Sequence, residues 1–174
     1  LSHLDRPSAG RAIWKIAPGE GAEAWDNCRE KGCIVLGEKR IADGGQYSSE
    51  EEFRAALDVP PDARSNDAKT IWYFAHEISS GDIVVANKGR STVVGIGVVR
   101  GNYLSPEHPQ NPHLRYEHAR LVDWKITTEV GVPFNFAISA VVPVKEDQWQ
   151  QIKRAYLAQD PGLAIVFDEL QGGT

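Results

Sequence analysis

The residues with chemistry to offer do not assemble into a catalytic signature. Cys28 and Cys33 lie close together, but a zinc site needs two further ligands at suitable spacing and none is nearby. The pair reads as two buried thiols in a reducing compartment. His108 and His113 sit in a loop broken by prolines, with no acidic partner at a fixed offset, so solvated histidines are expected there. Asp82, Asp123 and Lys125 match only loosely the paired acids and lysine of a metal-dependent nuclease. Gly95-Ile96-Gly97 lies inside an apolar run, not at a strand-to-helix junction, so it does not read as a phosphate loop. Neither a GxxxxGK[ST] loop nor a GxSxG elbow occurs. The sequence therefore predicts no enzyme, no metal and no cofactor.

What remains is the chemistry of recognition. Trp14 and Trp124 fall on strand patterns, where one face of a curled sheet can open to a pocket. Tyr103 stands at the start of a long Pro-, His- and Asn-rich loop, a usual place for a ligand-contacting aromatic. Asn87, Lys88 and Arg90 flank a turn and read either as a solvated hairpin tip or as phosphate contacts. Arg100 and Arg115 would extend such a basic rim. Trp25, Trp72 and Trp149 lie on apolar helix faces, where core packing is expected.

The elements that must position these groups are legible as patterns. Ile13–Ile16 is a strand ended by Pro18-Gly19. Residues 21–31 are helical, with Ala24, Trp25 and Cys28 inward and Gly32 as a left-handed cap. Residues 33–36 form a buried strand. Ser49 to Glu52 reads as a capping box opening a helix to about Leu57, and Asn66 as the cap of a helix over 67–78. Residues 82–86 and 91–100 form a hairpin, whose Gly95 and Gly97 imply a bend or close approach. Residues 118–127 are a strand, 134–142 a last strand or short helix, and 146–158 a helix. The expected fold is α/β (α+β), a small curved β-barrel of about five to six strands flanked by helices.

The 174 residues suit one domain. Residues 1–11 are expected to be a tail, 12–157 the domain, and 158–174 a linker toward a following domain. The chain starts at Leu1 and contains no Met, which suggests a piece of a longer protein. No apolar run is long enough for a membrane span and no leader opens the chain, so a cytoplasmic location is expected. A net charge of −5 argues against broad electrostatic coating of nucleic acid, though not against a local basic rim.

The runs Trp14–Glu20, Cys33–Gly37, Gly81–Gly89 with Gly95–Gly97, Arg120–Trp124 and Val142–Val144 with Trp149 together resemble EVE-type domains of the PUA-like superfamily, related to YTH and ASCH domains. They are most similar to N-terminal domains of McrB-type modification-dependent restriction proteins. The resemblance implies a PUA-like barrel that reads a modified base flipped from DNA into an aromatic pocket. On it, the pocket would draw on Trp14, Lys15, Ile16, Ala17, Leu36, Gly37, Glu38, Tyr103 and Trp124. The partners it implies are modified DNA, a motor domain and a nuclease subunit. A reader of modified RNA, or a small-ligand or partner-binding module, are the alternatives. Glu38 stands where related sequences often carry Trp. Its carboxylate could accept a hydrogen bond from an exocyclic amine, as acidic side chains do with cytosine N4, or simply face water in a turn.

Overall fold

The computed structural model describes residues 11–36, 49, 51–52, 70–105, 107–112, 114 and 118–172. Gly37, Glu38, Asn66, His113 and Arg115 lie outside them, as do residues 1–10 and the body of the expected helix 49–57.

Seven strands make one sheet: β1 (Ile13–Ile16), β2 (Cys33–Leu36), β3 (Ile83–Lys88), β4 (Thr92–Leu104), β5 (His118–Ile126), β6 (Val130–Gly131) and β7 (Val141–Pro143). Their order is β2-β5-β4-β3-β1-β7, with β6 added to β4. Among the described strands only the β1–β3 pair is parallel; its crossover is the long segment carrying the helix Trp25–Lys31, β2 and the helix before β3. The mixed α+β class expected from the sequence holds. The sheet carries one strand more than the upper count anticipated: the two-residue β6 has no periodicity of its own to announce it, and the element expected over 134–142 forms a strand only at its end, in β7.

Strand alternation splits the interior into two cores, as a period of two requires. Trp14 and Ile16 join Val84, Ala86 and Val94 on one face, beneath α1 (Trp25–Lys31) and the helical turn that ends at Glu77. Ile13 joins Ile83, Val85 and Ile96 on the other, beneath α2 (Glu146–Gln159) and α3 (Ala164–Gly172). Gly32 caps α1 at φ 68°, as expected. At the expected capping box, the Ser49 hydroxyl accepts from the Glu52 amide.

Two glycines are required by contact. A Cβ at Gly95 would lie 2.2 Å from the Trp25 ring, and one at Gly97 would meet Val122 at 2.6 Å and the Asp123 carbonyl at 2.7 Å. The close approach inferred from the GIG pattern is therefore real. It lets the Trp25 indole lie directly on β4 and meet Trp124 edge-on, ring centroids 4.8 Å apart.

The expectation of a linker after residue 158 is corrected. Asp160 caps a 3-10 turn (Pro161–Leu163), and α3 returns onto the sheet. Phe167 and Leu170 are buried beside Trp149, Ile152 and Tyr156. The apolar spacing Leu163, Val166, Phe167, Leu170 is helical, and the glycines at the end of the chain masked it.

Candidate functional site: an aromatic cluster on a π-helical turn

The sequence Trp72-Tyr73-Phe74-Ala75-His76 places four rings in five residues. The helix carrying them loosens into a π turn over Tyr73–Glu77, a geometry often found at functional sites. Successive rings consequently point in different directions. Tyr73 packs on the buried Trp14, centroids 5.7 Å apart. Phe74 meets Tyr103 edge-on at 6.3 Å. Trp72 stacks on His76 at 3.8 Å. Tyr103 in turn stacks on the buried His118, and its hydroxyl shares a 2.5 Å hydrogen bond with His118 Nδ1. His118 pairs with Leu36 at the end of β2, where the chain continues into Gly37.

Buried polar groups hold this arrangement. Asp82 accepts from the Trp14 indole at 3.1 Å, from the Ala12 amide at 3.1 Å and from the Ser79 amide at 2.8 Å. Arg120 closes the π turn by donating to the carbonyls of Phe74 and Ile78, and ties it to β4 through Gly101. Burial pushes the Arg120 guanidinium down to about 10, opposed by the nearby charge of Asp82, so it stays protonated at neutral pH. Trp72, Tyr73 and Tyr103 are only half-buried and form the accessible fringe of this core. Ala22, packed against the same core, holds a left-handed φ of 61°, an uncommon conformation for a non-glycine residue.

Not all residues singled out in the sequence meet here. Trp14 and Tyr103 belong to the cluster, and Ile16 to the core beneath it. Leu36 borders it through His118. Lys15 points to the opposite face and donates to the carbonyls of Ala137 and Ser139, so residues 14–17 do not line one surface. Ala17 uses its amide on Ala140. Trp124 lies against Trp25 and donates to the carbonyls of Cys28 and Cys33, fastening α1 to β2 rather than facing Tyr73. Those two cysteines are buried free thiols, and the hydrogen bond Cys28 shares with Cys33 raises its thiol far above the ordinary range.

The basic rim is also divided. Lys88 and Arg90 are exposed at the β3–β4 turn, and Arg90 donates to the Phe136 carbonyl. Asn87 is buried and closes the turn through Gly89, which corrects its expected role as a phosphate contact. Arg100 lies far along β4, roughly 30 Å of strand from that turn. The sequence does not single out Tyr73, Phe74, His76 and His118, and its helical spacing places Trp72 in the core. The signal was the aromatic run itself, which a helical wheel sorts into one apolar stripe because it assumes a regular helix. Among the described residues, no group of three or more His, Cys, Asp or Glu could hold a metal ion, and no helix is long and apolar enough to cross a membrane.

The family model described as "Domain of unknown function (DUF8426)" matches residues 14–137, and the chain belongs to that family. The matched span covers the Trp14 strand, the aromatic turn, Tyr103 and His118. No curated protein matches the chain. Among solved structures, the chain is similar to the YTH domain of the Zygosaccharomyces rouxii MRB1 protein in complex with N6-methyladenosine RNA. That likeness has 12% identity and a TM-score of 0.46, over 88% of this chain and 92% of that one. It is also similar to Rpa0253 from Rhodopseudomonas palustris, with 13% identity and a TM-score of 0.40 over 84% and 94% of the two chains. A hypothetical protein from Leishmania major aligns with 13% identity and a TM-score of 0.42 over 86% and 96%.

Proposed function

We propose that this chain is a binding module that takes a modified nucleobase, displaced from its stack, against the rings gathered by the Tyr73–Glu77 turn. One observation carries the reading: half-buried Trp72 and Tyr73 stand on an irregular helix where Tyr73 is backed by Trp14, Trp72 by His76, and the neighbouring Phe74 by Tyr103, itself stacked on His118. Flat apolar faces held rigidly are what a base stacks on, and each stack contributes about 1–3 kcal/mol. The half-buried Tyr73 and the exposed His76 bring a hydroxyl and an imidazole beside these faces for reading a base edge. Binding rather than turnover is the role proposed. The resemblance of the Trp14–Glu20 and Gly81–Gly97 runs supports DNA as the target, within a cytoplasmic modification-dependent restriction assembly whose motor and nuclease lie elsewhere.

The test is a titration of labelled oligonucleotides, DNA and RNA, single- and double-stranded. Each would carry one N6-methyladenine, one 5-methylcytosine or no modification. A preference for one modified base is expected, weakened about tenfold or more in Tyr73→Ala and Trp72→Ala. Equal affinity for modified and plain strands throughout would sink the reading. A preference seen only in RNA would move the target from DNA to RNA.

A further inference from the structure

Among the described residues, the large hydrophobic side chain most open to solvent is Ile138, 85% exposed. It does not sit on a loose tip. Lys15 Nζ donates to the carbonyls on both sides of it, those of Ala137 and Ser139. Two residues earlier, Phe136 donates its amide to the Arg90 carbonyl and accepts from the Arg90 guanidinium at 3.1 and 3.2 Å. Two residues later, the Ala140 carbonyl accepts from the Ala17 amide. Phe136 is buried in the core beneath α2, whereas Ala140 packs against the core containing Trp14. The loop thus rounds the β1–β7 edge from one face to the other, and Ile138 projects from its turn.

A buried lysine spent on two backbone carbonyls is a costly way to brace a loop. It makes sense where the loop must keep its shape while its tip does work. The surroundings identify the kind of surface met by that tip. Lys88 and Arg90 are exposed on the adjoining β3–β4 turn, and Arg90 Nη1 is directed to none of the carbonyls that hold the loop. A rigid apolar point flanked by cations suits a nucleic-acid duplex, where the phosphates meet the cations and the side chain enters between bases.

We propose that Ile138 is a stacking wedge, which enters the duplex beside the displaced base while Lys88 and Arg90 hold the neighbouring phosphates. Lys15 is the positioning residue of the wedge. The assignment rests on the base-reading function proposed above. It adds a second contact region at the β1–β7 edge, outside the aromatic cluster.

The test compares duplex and single-stranded oligonucleotides carrying the same modified base, with 2-aminopurine beside it. Ile138→Ala removes only an exposed side chain and leaves the fold intact. It is expected to weaken duplex binding about tenfold and to abolish the 2-aminopurine fluorescence rise, while single-strand affinity stays within about twofold, since a single strand needs no wedge. Lys15→Met should reproduce the duplex-specific loss with Ile138 still present. Equal losses on both strand states, or no loss on the duplex, would overturn the assignment. If the wild-type chain proves indifferent to modification but Ile138→Ala still loses the duplex alone, the wedge stands and only the base-reading function falls.

Discussion

Trp14 donates its indole N–H to the Asp82 carboxylate at 3.1 Å, joining the first strand of the sheet to the residue that precedes its parallel partner. The same carboxylate accepts the amides of Ala12 and Ser79, so one buried acid holds the strand, the ring behind Tyr73 and the exit of the π turn. Asp82→Ala would leave those donors unpaired and is expected to cost about 3 kcal/mol or more, read by urea denaturation. Trp14→Phe keeps most of the packing and should cost less, on the order of 1–2 kcal/mol. Equal and negligible costs for the two would show that Asp82 does not organise this region.

Gly95→Ala would push a methyl group to 2.2 Å from the Trp25 ring, which is itself held against Trp124. Overpacking of this kind is expected to destabilise by about 1–3 kcal/mol. The double variant with Trp25→Ala should be less destabilised than the sum of its single changes. Strict additivity in that cycle would mean the ring moves aside freely.

Lys15 gives stability a pH signature. Burial, and then the charge of Arg90, hold its ammonium down to about 8, against 10.5 for an ordinary lysine. Between these values the unfolded chain binds the proton more tightly, so the contribution of this group to stability rises with pH from 8 to 10.5. Below pH 8 the folded chain bears the full cost of burying the charge. The neutral amine retains two N–H groups for the two carbonyls it serves. The rise should be on the order of 3 kcal/mol at most. It should be absent in Lys15→Met when unfolding is measured across that range; identical pH profiles for the two proteins would remove the effect.

Phe167 is expected to behave as a core residue. Its ring lies 5.5 Å from Trp149 and 6.1 Å from Tyr156, centroid to centroid. Phe167→Ala should cost about 3 kcal/mol or more and lower the melting temperature. A chain ended after Gln159 should melt lower still, because Trp149 and Tyr156 lose their cover. An unchanged melting temperature in both would restore the linker reading of this segment.

Much of the secondary structure follows from local pattern. Compact apolar runs mark β3 and β4, alternation marks β5, the Gly32 cap ends α1, and α2 stands within a residue of its expected bounds. Each signal rests on interactions within a few residues, and so the chain carries it in plain view. The candidate site was only partly legible for the opposite reason. Trp14 and Tyr103 could be picked out as aromatics on a strand and beside a loop, but their meeting depends on Phe74 and Tyr73, which a π turn directs apart. That turn is closed by Arg120, more than 40 residues away along the chain.

The division between sequence and tertiary structure is therefore a matter of range. By itself, the sequence determined the mixed class, the residues that must be apolar, the glycines that let backbone and ring approach, and the supply of aromatic and basic side chains. Tertiary structure decided which face each of them serves. Adjacent residues Trp14 and Lys15 go to opposite sides of the sheet because strand geometry alternates. Lys88 and Arg100 separate because a long strand runs between them. Distant Tyr73 and Trp14 meet because packing rewards burial of rings wherever the chain brings them from.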